Sequence, residues 1–253
     1  MSFIATICLL IANFGQASYG KDIVRIAAGE WPPYLSENMP GHGVAAQIIT
    51  DIFAELGYQV EYRFLPWPRA FKEAKAGNFD GTAVWLKNDE RLADFYYSNP
   101  VIRERHVLFH MRELPFSWES IQDLQGLKIG GILNFSYGDE FDKAEKSGKI
   151  HVDRTNTDVQ NFRKLLAGRI QIYPQELQVS INVLQTNFSP EEVSRITYHA
   201  KPLMEKDSFL LLSKKIKRNQ DLINLFNYKL DRLKESGKYQ KYFPRSQEIS
   251  PSK

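Results

Sequence analysis

Apolar positions along this chain change period several times, and each change marks an element. Residues 22–28, DIVRIAA, carry the alternation of a strand. A loop rich in proline and glycine follows. Val44, Ile48, Ile52 and Leu56 then recur every four residues, flanked by Ala45, Ile49 and Phe53 and closed by Gly57. That spacing lays one apolar stripe along a helix. QVEYRFL returns to period two through Val60, Tyr62 and Phe64 and predicts a second strand. PWPRAFKEAKAG reads as a short helix that starts at a proline and stops at Gly77. FDGTAVW is a third strand. Strand, helix, strand, helix, strand with short connections predicts parallel pairing in an α/β layer.

The alternation then resumes. RHVLFHM, 105–111, predicts a strand, SWESIQDLQG a short helix with a serine start, and KIGGIL a strand running into the loop and helix start NFSYGDEF. Thr157 and Gln160 form a capping-box pair ahead of VQNFRKLLAG. RIQIY reads as a strand, Ser189-Pro190-Glu191-Glu192 opens a short helix, and SFLLLSK, 208–214, is a late apolar strand. QDLINLFNYKLDRLKESG predicts an amphipathic helix burying Leu222, Leu225, Phe226, Leu230 and Leu233. No repeat of solenoid period and no low-complexity linker interrupts the chain. Two α/β units joined by strands are expected.

The N-terminus differs. Residues 1–20 carry no charge, and 3–12, FIATICLLIA, have the length of a signal-peptide core, too short to span a bilayer. Small residues in GQASYGK suit cleavage near Ala17 or Gly20. No Lys or Arg precedes the apolar run, which a misplaced start codon or a weak signal would explain; a buried N-terminal strand or helix is the alternative. The sole cysteine, Cys8, lies inside this segment, so the mature chain is expected to hold neither thiol nor disulfide. No later segment is long and apolar enough to cross a membrane.

Composition narrows the classes further. The chain has 253 residues, 43% hydrophobic and 25% charged, with a formal charge of +3. That is globular, of one large or two small domains, and gives no case for nucleic acid. The basic run Lys214, Lys215, Lys217 and Arg218 reads as a solvated turn before a helix. Five histidines show no metal-ligand spacing. There is no glycine-rich phosphate loop and no nucleophile elbow, and the adjacent Asp89 and Glu90 read as a solvated turn. No catalytic residue, metal or cofactor is called for.

What remains is aromatic. GEWPPYLSENMPGHG, 29–43, sets Trp31 and Tyr34 on a stiff loop with three prolines and three glycines. Trp67 and Trp85 also fall at or just after the end of a predicted strand. In an open parallel sheet, strand ends line the ligand crevice. One such ring could plug a core; three tryptophans at equivalent strand ends argue for a binding wall.

In order and spacing, GEWPPY, GHGVAAQIITDIFAELG, LPWPRAFKEAKAGNFDG, KNDERLADFYYSNP, DLQGLKIGGI and NQDLINLFNYKLDRLKESGKYQKYF resemble the family 3 bacterial extracellular solute-binding proteins. These are the polar amino acid receptors of ABC transporters. The resemblance covers about residues 22 to 243. It implies the two-lobe type II periplasmic binding fold, each lobe a mostly parallel sheet flanked by helices. Lobe 1 would comprise 22–109 and 207–246, lobe 2 the inserted 110–206, and 247–253 a tail. By the same resemblance, Trp31 and Trp67 would cover the two faces of a ligand and Arg91 would grip its carboxylate. Asn134, Phe135 and Ser136 would offer backbone N–H groups from the second lobe, and Glu176 stands where the family has an Asp that accepts the ligand's ammonium. Tyr34 and Trp85 complete the expected lining. The chain departs from the family at Leu86, where a Ser or Thr is usual, in a loop before Arg91 that is one residue short, and in Glu for Asp at 176.

Three functions stay open on this reading. The first is a monomeric periplasmic receptor that delivers an amino acid or related small acid to an ABC transporter permease. The second is a ligand-sensing protein on the same fold, and the third a cleft enzyme of dehydratase type using Glu30 or Glu176 as general acid.

Overall fold

The computed structural model describes residues 22–243, 249 and 251–252. The expected signal peptide, its cleavage near Ala17 or Gly20, and Cys8 lie outside the described residues, as does part of the 247–253 tail.

The first lobe grows around β1 (Ile23–Ala28), whose Val24, Ile26, Ala27 and Ala28 are fully buried. After the proline-rich loop, α1 (Val44–Glu55) sinks the predicted stripe of Val44, Ile48, Ile49, Ile52 and Phe53 into the core. β2 (Gln59–Phe64) returns parallel to β1, α2 (Trp67–Ala76) crosses back, and β3 (Gly81–Leu86) pairs parallel on β1's other side. Gly57 and Gly77 stop the two helices with φ of 88° and 84°, a left-handed turn that a Cβ would penalise. A short β4 (Phe95–Tyr97) precedes the long β5 (Ile102–Met111).

The second lobe repeats the plan. β6 (Lys128–Ile132), α3 (Asp139–Lys146), β7 (His151–Thr155), α4 (Asp158–Leu166) and β8 (Ile172–Glu176) follow in turn, with β6 parallel to both β7 and β8. Next come α5 (Leu177–Asn187), α6 (Pro190–Ser194) and β9 (Ile196–His199). The chain returns to the first lobe through β10 (Met204–Ser213) and α7 (Asn219–Glu235), and β11 (Pro251–Ser252) pairs with β9.

Among the described residues the strands form one hydrogen-bonded sheet, in the order β2-β1-β3-β10-β5-β8-β6-β7 along its main path. β5 and β10 join the two halves. β5 pairs antiparallel with β10 from Ile102 to His106, then with β8 from His106 to His110. The C-terminal part of the chain is tied to the N-terminal lobe at Asp80. Its carboxylate accepts from the Arg25 N–H at 2.9 Å and pairs with the Arg218 guanidinium at 2.7 Å. The buried Asn219 donates to the Asp80 carbonyl at 2.8 Å.

Some expectations shift. SWESIQDLQG yields only a 3-10 turn at Ile121–Leu124, with Ser120 and Asp123 forming its capping box. The strand expected in RIQIY lies slightly later, at Ile172–Glu176. In α7, Leu225 is 48% exposed, whereas Ile223 is buried with Leu222, Phe226 and Leu230. At 3.6 residues per turn, Leu225 sits roughly a third of a turn off the stripe the others share.

Candidate functional site

The loop after β1 is held by its own backbone. The Trp31 N–H donates to the Leu35 carbonyl at 2.7 Å, and the peptide between Pro32 and Pro33 is cis. Gly43, at φ 94°, lets the loop pass into α1: a Cβ there would stand 2.6 Å from the Pro33 carbonyl oxygen. The turn stacks Trp31 on Tyr34, ring centres 4.9 Å apart. Trp67 opens α2, and its indole lies directly over Gly29, where a Cβ would come within 2.2 Å of the ring.

Trp85 owes its position to an irregularity. The β3–β10 register shifts between Phe209 and Leu211, because β3 carries an extra residue between Thr82 and Trp85. Val84 absorbs it at φ 60°, a left-handed conformation costly for a β-branched side chain. Bulges and strained residues of this kind concentrate beside functional sites. The Trp85 ring meets Trp67 edge-on at 5.1 Å, and its Nε1 donates to Thr82 Oγ1 at 2.8 Å. Over its face, 4.8 Å away, lies the Arg91 guanidinium, which is also 5.4 Å from the Phe71 ring. Arg91 donates through Nη1 to the Leu86 carbonyl at 3.0 Å and pairs with no carboxylate among the described residues. Its other donors are uncommitted.

On the second lobe, residues 133–138 join β6 to α3. Asn134 takes φ 60°. The loop is pinned from below: Arg154 donates to the carbonyls of Ile132 and Phe135, and Ile132 N–H donates to the Tyr137 hydroxyl at 2.8 Å. Tyr137 N–H donates to Asp142 at 3.0 Å, and Gly138 N–H to Ser136 Oγ at 3.3 Å. The N–H groups of Asn134 and Ser136 meet no acceptor among the described residues, whereas the Phe135 N–H, also expected to face a ligand, already donates to the Ile132 carbonyl at 3.3 Å.

These pieces converge. Trp31, Trp67, Trp85 and Arg91 from the first lobe and Asn134, Phe135 and Ser136 from the second line one cleft of about 530 Å³. That volume suits a small ligand. A depression of about 630 Å³ elsewhere, among Arg154, Arg163, Lys164 and Arg169, draws on the second lobe alone. The inter-lobe cleft is the one that unites aromatic walls, a free guanidinium and both lobes.

Two expected residues lie behind the lining. Tyr34 is buried, and its hydroxyl donates to Glu176 Oε1 at 3.0 Å. Glu176 is 1% exposed and already satisfied. It accepts from Val179 N–H at 2.8 Å, capping α5, and from Arg105 N–H at 3.3 Å. Burial pushes its carboxyl above the usual range, against those hydrogen bonds, and burial beside Glu176 pushes the Tyr34 phenol up as well. The expectation that Glu176 meets a ligand ammonium is therefore not met by its placement: its oxygens are spent on the α5 cap and on Tyr34. Glu30, the other acid considered, is exposed and accepts from Glu37 N–H at 2.8 Å.

The sequence reading missed the cleft floor. Glu104 and His106 on β5 and Met204 and Lys206 on β10 all line it, as do Val84 and Leu86. Alternate residues of the two paired strands share one face, so Glu-x-His and Met-x-Lys were the available signal. Among the described residues, no group of three or more His, Cys, Asp or Glu is placed to hold a metal ion, and no helix is long and apolar enough to cross a membrane.

Comparison with known proteins agrees with this fold. Residues 23–245 match the family described as bacterial extracellular solute-binding proteins, family 3, and the chain belongs to that family. It is similar to substrate-binding domain 2 of Lactococcus lactis GlnP in its open conformation, with a TM-score of 0.70 and 19% identity over 90% of this chain and 96% of that one. The unliganded, open L-cystine solute receptor of Neisseria gonorrhoeae gives a TM-score of 0.69 and 21% identity over 91% and 96%. A histidine kinase sensor domain with similarity to periplasmic binding proteins gives 0.64 and 18% over 88% and 95%. In sequence, a Shewanella oneidensis MR-1 protein named only as uncharacterized is 23% identical over 78% of this chain and 74% of its own. The fold is thus the two-lobe type II periplasmic binding fold.

Proposed function

We propose that this protein is a periplasmic solute receptor that captures a small carboxylate-bearing ligand, an amino acid or related small acid, between its lobes. It then delivers the ligand, as a monomer, to the membrane permease of an ABC transporter. We divide it into lobe 1, residues 22–109 and 207–246, and lobe 2, residues 110–206.

The carrying observation is Arg91. Its guanidinium is stacked on Trp85, free of any carboxylate among the described residues, in a cleft walled by Trp31 and Trp67. A planar fork held in this way suits bidentate capture of a carboxylate. Asn134 and Ser136, whose N–H groups meet no acceptor among the described residues, line the same space from the other lobe and suit the same anion. The L-cystine solute receptor among the structural neighbours supports this ligand class.

A thermal-shift screen of the mature chain against amino acids and small organic acids tests the reading, since a bound ligand raises the melting temperature by mass action. Arg91→Ala should then weaken the best ligand by about 2–5 kcal/mol, and Arg91→Lys should recover only part of that. Full affinity in Arg91→Ala would end the carboxylate assignment.

A second reading, a sensor without its own permease, is favoured by the likeness to a histidine kinase sensor domain. Genes for a permease and an ATPase beside this one would favour transport; a kinase partner would favour sensing.

A further inference from the structure

The cleft floor holds a carboxylate whose situation the reading above leaves unexplained. Glu104 is 6% exposed and lines the cleft. Its Oε1 accepts from the Ser208 hydroxyl on β10, and Oε2 lies 3.2 Å from His106 Nε2. No Lys or Arg pairs with it among the described residues. Lys206 stands directly opposite in the strand register and also lines the cleft, yet it forms no ion pair there. Its one ion-pair partner among the described residues is therefore His106, and no permanently charged Lys or Arg balances this buried carboxylate.

A second observation points the same way. His106 is 1% exposed, and its Nδ1 is buried with no hydrogen-bond partner. The ring lies 5.8 Å from Phe135, the aromatic that the second lobe brings to the cleft. Orphaned buried polar atoms are rare and call for a missing partner. Here the orphan nitrogen and the carboxylate that lacks a Lys or Arg partner belong to His106 and Glu104, two residues apart on one face of β5. The acid the family pattern pointed to, Glu176, is closed off by three donors behind this floor.

We propose that Glu104, backed by His106 and Ser208, takes the place of Glu176 as the acceptor for a cationic group of the ligand whose carboxylate Arg91 holds. This rests on the carboxylate-receptor reading given above. Because β5 and β10 are the strands that join the lobes, the ligand's cation would engage the hinge itself.

The test uses the mature chain and the twenty standard L-amino acids, screened by thermal shift and followed by calorimetry. Each amino acid that binds is paired with its des-amino carboxylic acid. Glu104→Gln should weaken the amino acid by about tenfold or more, the scale for a charged hydrogen-bonded partner, and change the des-amino acid by less than about threefold. Glu176→Gln should leave the ratio of the two affinities as in wild type. Equal effects of Glu104→Gln on both ligands, or none on either, would overturn the proposal. If Glu104→Gln does not melt cooperatively, Glu104→Asp carries the same comparison: it keeps the charge, withdraws it by a methylene, and should still lower the amino acid's preference. Wild type that binds small acids but no amino acid would sink this proposal and leave the carboxylate reading standing. Wild type that binds neither would sink both.

Discussion

Trp67 can lie across the cleft because Gly29 has no side chain. A methyl at Gly29 would come within 2.2 Å of the indole, so the ring would have to leave. Gly29→Ala should therefore act on binding through Trp67, and it should resemble Trp67→Ala in effect. Both should weaken the ligand found by screening by about 1–3 kcal/mol, the scale for losing a large aromatic contact. Trp67 is only half-buried in the free protein, so the melting temperature of unliganded Trp67→Ala should move little. Calorimetry on both variants checks this; wild-type affinity in both would mean the ring is not a ligand wall. The aromatic walls and Arg91 were legible in the sequence because they sit in loops, where a large ring or an Arg within a motif has no core to explain it. Glu104 and His106 were not. They lie within a strand whose flanking residues read as an apolar run, and only the pairing with β10 reveals which face looks into the cleft.

Elements were legible where apolar period and caps agreed, as in α1, α2 and α4. Thr157 accepts from Gln160 N–H at 3.2 Å at the start of α4, which is half of the expected capping box; Gln160 Oε1 accepts from Asn156 N–H rather than from Thr157 N–H. α5 escaped notice because its cap is Glu176, a residue type not favoured at that position, which the buried Tyr34 and the Val179 N–H hold in place. β7 escaped because it is a polar edge strand, HVDRT, with no fully buried residue. At the same scale, β5 carries a titration. His110 is buried; its Nδ1 lies 2.9 Å from the Met111 carbonyl and its Nε2 3.1 Å from Ser252 Oγ. Burial first, then His199 and Arg112, pull its pKa below the ordinary 6.5, against the Met111 carbonyl. The unfolded chain then binds the proton more readily than the folded one. Stability from this group is full above about pH 6.5 and is lost as pH falls from there through the lowered folded value. The melting temperature should decline on acidification through this window, and His110→Gln should flatten part of that decline. An unchanged slope in the variant would place the acid sensitivity elsewhere.

At the scale of the molecule, the arrangement of strands sets what can move. The first lobe's buried cluster takes in Val179 from α5, the second lobe holds two further clusters, and β5 and β10 run between the lobes as a paired ribbon. The ribbon is stiff along its length, but two strands resist bending far less than a packed core does, so motion between the lobes should concentrate there. The Tyr34–Glu176 hydrogen bond joins the lobes beside this ribbon, since Glu176 pairs with His106 of β5. The cleft's donors are divided between the lobes, with Arg91 on one side and the loop at Asn134 to Ser136 on the other. A ligand that satisfies both sides at once stabilises the closed arrangement by the difference between its contacts in the two states, and by no more than that. Saturating ligand should therefore lower the radius of gyration in solution scattering and change the fluorescence of Trp31, Trp67 and Trp85, which wall the cleft. Arg91→Ala should blunt the contraction even at ligand concentrations that restore occupancy, because the first lobe's grip on the anion is what draws the second lobe in. Scattering that gives one radius with and without saturating ligand would mean that the ribbon is not a hinge, and that the protein binds as a preformed cleft.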